Sequence, residues 1–186
     1  MKKLVTINGS YRKYKNTYKC LKQEEAHLMR VLKDETHDGK ATTKYFYLDD
    51  NIYSCHQCKK CVPGCRFKDQ FQDIVEAIGN AEHVLIGSPV YLDFPSPKLL
   101  AFLTRLTSLA ESTNREFFRG KKMHFVATAW CSGTKTVIHT LMGACEMLGF
   151  TIEGRSTKEY IELWKDNKIR GGMRPEDACY FPKDEK

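Results

Sequence analysis

Strand-like and helix-like segments alternate along most of this chain, and that alternation limits its fold more than any other feature. Lys3 to Ile7 is a short apolar, β-prone run that stops at Asn8-Gly9. A helical segment from about Thr17 to Lys33 follows, with Leu21, Leu28, Val31 and Leu32 on one side. After the polar break His37-Asp38-Gly39, Lys44 to Leu48 reads as a second strand. Phe67, Phe71, Ile74, Val75 and Ile78 then recur at helical spacing. His83 to Ile86 is a third strand, ending at Gly87-Ser88-Pro89, before a helix carrying Leu99, Phe102, Leu103, Leu106 and Leu109. Met123 to Ala129 makes a fourth strand, Val137 to Leu148 another amphipathic helix, and Phe150 to Glu153 a fifth strand. The polar residues beyond, with Gly171-Gly172, take no element from their pattern.

Strands interleaved with helices imply right-handed crossovers and a parallel sheet covered on both faces. Five such strands suit either of the two common doubly wound orders, and periodicity does not choose between them. At 186 residues, with neither internal repeats nor a linker, the chain is expected to form one domain. That domain carries a cysteine-rich loop at residues 51–66 and an extension from about residue 155. No apolar stretch is long enough to span a bilayer, and the apolar run near the N-terminus is too short for an export signal. A cytoplasmic location without membrane attachment is the resulting expectation. The net charge of +7 comes from scattered lysines, without a basic stripe interleaved with aromatics, so a nucleic-acid partner is not expected.

Ligands of doubly wound sheets sit outside the carboxyl ends of the strands, where the strand order reverses. The first strand exits into Gly9-Ser10-Tyr11-Arg12-Lys13-Tyr14-Lys15-Asn16-Thr17. This is neither the Gly-x-Gly-x-x-Gly fingerprint nor a Walker loop. It offers Ser10, Asn16 and Thr17 at the start of a helix, where backbone N–H groups and the helix dipole form an anion site suited to a phosphate monoester. A turn at Asn8-Gly9 followed by a plain helix cap would read the same way. After the third strand, Gly87-Ser88-Pro89-Val90-Tyr91 combines small residues that admit a flat ring closely, a stiffening proline and a tyrosine able to pack on that ring.

Gly-Ser-x-Arg-x-x-x-Asn-Thr after strand one, with Gly-Ser-Pro-Val-Tyr after strand three, resembles the NADPH-dependent FMN reductase family of flavodoxin-like proteins. The stretch from Ser96-Pro97-Lys98 to Thr104-Arg105 resembles it too, although Thr104 stands where the family usually has aspartate and Tyr11 where it often has proline. The resemblance covers roughly residues 3 to 150. It implies a three-layer α/β sandwich with a five-stranded parallel sheet in the order 2-1-3-4-5. It also implies FMN, with Ser10, Arg12, Asn16 and Thr17 on its phosphate and Pro89, Val90 and Tyr91 along the isoalloxazine. Ala129, Trp130, Cys131, Ser132 and Gly133 would close the ribityl side, Trp130 departing from the small residues usual there. NAD(P)H is the implied electron donor, with a small-molecule or protein acceptor and a homodimer or homotetramer as the assembly. The flavin would carry the chemistry, so no catalytic side chain is assigned.

Four of the eight cysteines, Cys55, Cys58, Cys61 and Cys65, fall within eleven residues. Without an export signal, clustered thiols point to metal or redox chemistry rather than a disulfide framework. The family contains iron–sulfur flavoproteins with a compact cysteine motif at this place. That resemblance implies a 4Fe–4S cluster on these four thiolates, exchanging single electrons with FMN. Free redox-active thiols and structural zinc remain as alternatives. Cys20, Cys131, Cys145 and Cys179 read as small buried hydrophobes. Three functions therefore stand side by side: an NAD(P)H-driven flavin reductase, a one-electron carrier with FMN and a cluster, and a zinc-stabilised binding module without redox activity.

Overall fold

The computed structural model describes residues 1–48, 52–61, 64–129, 132–153 and, for the backbone alone, 158–161. Strands β1 (Lys2–Asn8), β2 (Ala41–Tyr47), β3 (His83–Pro89), β4 (Lys122–Ala129), β5 (Thr151–Ile152) and β6 (Lys158–Ile161) alternate with helices α1 (Asn16–Asp34), α2 (Phe71–Gly79), α3 (Pro97–Ser112) and α4 (Thr134–Leu148). All strands are parallel, in the order β2-β1-β3-β4-β5, with β6 also paired to β4. The order 2-1-3-4-5 expected from the resemblance is therefore the one observed. It places the order reversal between β1 and β3, whose ends carry the two loops singled out above.

Side chains alternate across each strand and so divide between two helical layers. Val5, Ile7, Val84, Ile86, Met123, Phe125 and Ala127 face α2, α3 and α4 in the larger core. Leu4, Leu85 and Val126 face Cys20, Leu21, Leu28 and Leu32 of α1. Also on the α1 face, His83 and His124 are buried together, with His83 Nδ1 and His124 Nε2 sharing a hydrogen bond of 3.0 Å.

Several boundaries differ from the sequence pattern: β3 runs on through Gly87-Ser88-Pro89, read as the loop after it, and α4 begins at Thr134 rather than Val137. Strand β2 begins at Ala41, because backbone pairing with β1 from Lys2↔Ala41 onward carries a polar edge segment that no apolar period marks. The helix expected from Phe67 begins at Phe71, where Asp69 Oδ1 accepts the Phe71 N–H at 3.1 Å and turns the chain into α2. The fifth sheet position is shared by two strands. Met123 pairs with Ile152 and Val126 with Lys158, so five residues separate the partners on one side where two separate them on the other. Among the described residues, no helix is long and apolar enough to cross a membrane.

Candidate functional site

The loop from β1 to α1 is built on side-chain turns. Ser10 N–H donates to Asn8 Oδ1 at 2.9 Å, and Arg12 N–H to Ser10 Oγ at 3.1 Å. Residues 11–15 are exposed while Ser10 and Thr17 are buried. Helix α1 starts with Lys15 as its cap residue, makes no side-chain cap hydrogen bond and has no acidic residue in its first turn. Its leading N–H groups thus sit beside the cations Arg12, Lys13 and Lys15, an arrangement that favours an anion. Asn16 is the first helical residue, and Thr17 turns inward to share a hydrogen bond of 2.7 Å between its Oγ1 and that of Thr128 on β4.

The loop after β3 meets the same residue. Val90 N–H donates to the Thr128 carbonyl at 2.8 Å. Tyr91 and Phe94 exchange backbone hydrogen bonds of 3.0 and 2.9 Å around Leu92 and Asp93, whose φ angles of 50° and 61° make a tight two-residue turn. Pro89 is buried as the last residue of β3, and Tyr91 is partly exposed, with its ring centroid 6.2 Å from that of Tyr11. Beyond β4, Ala129 is buried and Gly133 begins α4 with φ of 87°. A Cβ at Gly133 would collide with Val90 and the Asp93 carboxylate. Ser132 lies beside Gly133 and is itself engaged by a neighbour. Trp130 and Cys131 lie outside the described residues. The structure thus brings together Ser10, Thr17, Pro89, Val90, Tyr91, Ala129 and Gly133 at one end of the sheet, with Arg12 and Asn16 on its rim.

Three supporting residues were given no site role by the sequence, although the resemblance took in Ser96 and Lys98. Thr128 is one. Ser96 is another: its Oγ donates to the Gly9 carbonyl at 2.6 Å and accepts the Leu99 N–H at 3.3 Å, and its N–H donates to Ser88 Oγ at 2.9 Å. The Ser-Pro pair that opens α3 was its available signal. The third is Lys98, buried beneath the rim, with Nζ donating to the Leu48 carbonyl at 2.8 Å. That ammonium lies 4.5 Å from the Tyr11 ring centroid and 4.6 Å from that of Tyr47. Tyr47 Oη in turn donates to the Tyr11 carbonyl at 2.7 Å, so a fixed cation underlies the loop.

The four clustered cysteines line one cavity with His56, Phe67, Phe71, Arg105 and Ser108. Cys55 Sγ accepts the Gln57 N–H at 3.3 Å and lies 2.9 Å from Ser108 Oγ of α3. Gln57 and Lys59, one within each Cys-x2-Cys unit, have φ of 49° and 55°. Burial pushes the Cys61 thiol up; a hydrogen bond with Ser112 opposes this and the neighbouring Cys55, Cys65 and Cys58 add to it. Arg105, only 2% exposed, pairs with Asp69 and stacks 3.9 Å from the Phe71 ring centroid. Its Nε and Nη2 are buried without a partner. Among the described residues, no three His, Cys, Asp or Glu side chains stand close enough to hold a metal ion. The four thiols share the cavity with the buried Arg105 guanidinium without forming a ready-made metal site. Cys20 and Cys145 are buried core residues as expected, and Cys179 lies outside the described residues.

Comparison with known proteins follows the same lines. An iron–sulfur flavoprotein of Archaeoglobus fulgidus is 28% identical over 120 residues, which cover 63% of this chain and 57% of that protein. The chain therefore spans less than two thirds of that relative's length. Among solved structures, an NADH:FMN oxidoreductase in its apo form superposes with a TM-score of 0.60 at 15% identity, covering 88% of this chain and 76% of the other. A flavodoxin from the domain Archaea superposes with a TM-score of 0.56 at 13% identity, covering 88% and 86%. Identities this low speak to the fold, which is flavodoxin-like. The model of NADPH-dependent FMN reductase matches residues 2–157, from the first strand through the whole sheet-edge site and the cysteine cavity. By that match the chain belongs to the NADPH-dependent FMN reductase family.

Proposed function

We propose that the chain binds FMN across the carboxyl ends of β1, β3 and β4 and passes electrons from NAD(P)H to an acceptor at the same face. The observation that carries this reading is Thr128, whose hydroxyl holds Thr17 and whose carbonyl holds Val90. One residue of β4 thereby fixes the helix start and the ring loop relative to each other. Ser10, Arg12, Asn16 and Thr17 would take the phosphate, drawing on the uncapped start of α1. Pro89, Val90 and Tyr91 would line the ring, and Ala129, Trp130, Ser132 and Gly133 the ribityl side. Bound FMN supplies hydride acceptance and electron delivery, while the protein supplies position and backbone hydrogen bonds. Asn16→Ala, read by FMN titration, should weaken binding by about tenfold or more with the circular dichroism spectrum unchanged. Unchanged affinity would overturn the phosphate placement.

A second reading concerns the cysteine cavity. Cys55, Cys58, Cys61 and Cys65 would ligate a 4Fe–4S cluster, making the chain an iron–sulfur flavoprotein that exchanges single electrons. Its support is the gathering of all four thiols with Ser108 and Arg105 on one cavity, together with the similarity to an iron–sulfur flavoprotein. Helix α3 links the two places: Ser96 caps it beside the ring loop, and Arg105 follows about 14 Å along its axis. Anaerobically purified protein should contain about four iron and four sulfide per chain. Zinc in their place, without bound FMN, would favour a non-redox binding module. Clustered free thiols suit a reducing, cytoplasmic setting, and a homodimer or homotetramer is the assembly in keeping with the family.

A further inference from the structure

Tyr14, Tyr18 and Lys22 follow one another at four-residue spacing, which sets them in a row along α1 and the turn before it. Tyr45 and Tyr47 stand two residues apart on β2, so their side chains leave the same face of that strand. The two rows meet. The Tyr18 ring centroid lies 5.3 Å from that of Tyr14 and 5.8 Å from that of Tyr45, both edge to face. With Lys13 these side chains line an open cavity of about 420 Å³, a size and an aromatic lining that suit a small planar ligand. Tyr14 is 65% exposed, so most of its ring face is open to such a ligand. The cations sit over the same rings: Lys22 Nζ is 4.5 Å from the Tyr45 centroid, and Lys13 Nζ is 5.5 and 5.6 Å from those of Tyr47 and Tyr14. Lys22 gives one N–H to Glu25 at 2.7 Å, which offsets part of its charge and leaves its other donors for a ligand.

The groove borders β2, on the other side of β1 from the order reversal between β1 and β3. An aromatic path nevertheless joins it to the ring loop. Tyr91 has its centroid 6.2 Å from that of Tyr11, and Tyr47 Oη donates to the Tyr11 carbonyl. The Lys98 ammonium lies within 4.6 Å of both the Tyr11 and Tyr47 centroids, placing positive charge along that path. A molecule with one aromatic end at the ring loop, another among these tyrosines and negative charge between them matches this layout.

We propose that the groove is the adenylate subsite for NAD(P)H, with adenine stacked among Tyr14, Tyr18 and Tyr45 and the phosphates beside Lys13 and Lys22. This rests on the reading of NAD(P)H as electron donor above. Every purine has a π-face that an aromatic wall can take, and ammonium groups beside it pair with phosphate oxygens. The adenylate end takes no part in the hydride step. Its contacts hold ground state and transition state alike, so their loss raises KM and leaves kcat in place.

The test uses the full chain loaded with FMN, with ferricyanide as acceptor and two donors compared. One is NADPH; the other is reduced nicotinamide mononucleotide, which carries the same reacting ring without the adenylate half. Tyr18→Leu should raise KM for NADPH by about tenfold with kcat unchanged, and leave both constants for the mononucleotide as they are. ADP should inhibit wild type in competition with NADPH, and should do so about tenfold more weakly in Tyr18→Leu. Lys22→Gln should weaken ADP inhibition as well, through the lost phosphate contact. Should Tyr18→Leu fail to fold, the exposed Tyr14→Leu carries the same comparison. An equal loss on both donors would mean that the substitution disturbs the flavin loop, and would overturn the inference. So would an unchanged KM for NADPH in a wild type and variants that all oxidise it, with NAD(P)H left standing as the donor. Wild-type protein that binds FMN but oxidises neither donor overturns the donor reading and this inference together.

Discussion

Thr17 on α1 and Thr128 on β4 share a 2.7 Å hydrogen bond between two buried hydroxyls, separated by 111 residues in sequence. Both lie at the end of the sheet where the ligand loops gather. Thr17→Val keeps the shape and removes the hydroxyl, leaving its partner buried with one bond fewer. The variant should lose about 1–2 kcal/mol of stability in urea denaturation. FMN affinity should fall as well, because the start of α1 is then held less firmly against β4.

Gly133 has no room for a side chain, and its φ of 87° is unfavourable for any residue with a Cβ. Gly133→Ala should destabilise the fold by about 1–3 kcal/mol and displace the 90–94 loop. Flavin content of the purified protein, measured by absorbance, should drop more steeply than stability. A variant that retains full flavin would show that the two loops tolerate separation.

The buried histidine pair gives stability a pH dependence of known sign. Burial holds His83 below its usual value, as do Lys122 and Lys2, with Glu35 and Glu153 opposing. His124 is lowered to about 4 by burial and by His83, Lys122 adding to this and Glu153 opposing. The unfolded chain takes up protons below about pH 6.5 and the folded chain does not, so stability is highest above pH 7 and falls as pH drops from 6.5 toward 4. His124 alone should cost about 2 kcal/mol between pH 7 and pH 5, measured by chemical denaturation at each pH. His124→Gln should flatten that slope.

Leu92 sits at the tip of the two-residue turn with φ of 50° and is 93% exposed. A left-handed leucine is strained, and asparagine adopts that region readily. Leu92→Asn should raise the thermal midpoint, by about 0.5–1 kcal/mol in stability, with FMN affinity unchanged. A loss of affinity instead would place the leucine side chain in the binding face.

The layered fold was legible because it is written in apolar periodicity, as in Leu21, Leu28 and Leu32 on α1 or Val84 to Ile86 on β3. The resemblance supplied the strand order and the loops, since Ser10 and Val90 lie in short contiguous motifs. Contacts between distant residues were not legible. Thr128 reads as an ordinary strand threonine until β3 and α1 are placed against it, and Asp69 reads as part of a helix until Arg105 is found beside it. Edge pairing hid the start of β2, and β6 has only Tyr160 and Ile161 to mark it within a polar stretch.

Ser96 reaches the Gly9 carbonyl, the Ser88 hydroxyl and the first turn of α3 from one position, and a Cβ at Gly9 would lie 3.1 Å from its Oγ. Evolution therefore has little freedom to change positions 9, 88 and 96 one at a time. A larger residue at 9 requires a smaller or displaced partner at 96, and losing the hydroxyl at 88 strands the Ser96 N–H. Relatives of this chain should keep these three positions as a set or exchange them as a set, and drift at one alone would mark a lineage whose pocket has been rebuilt.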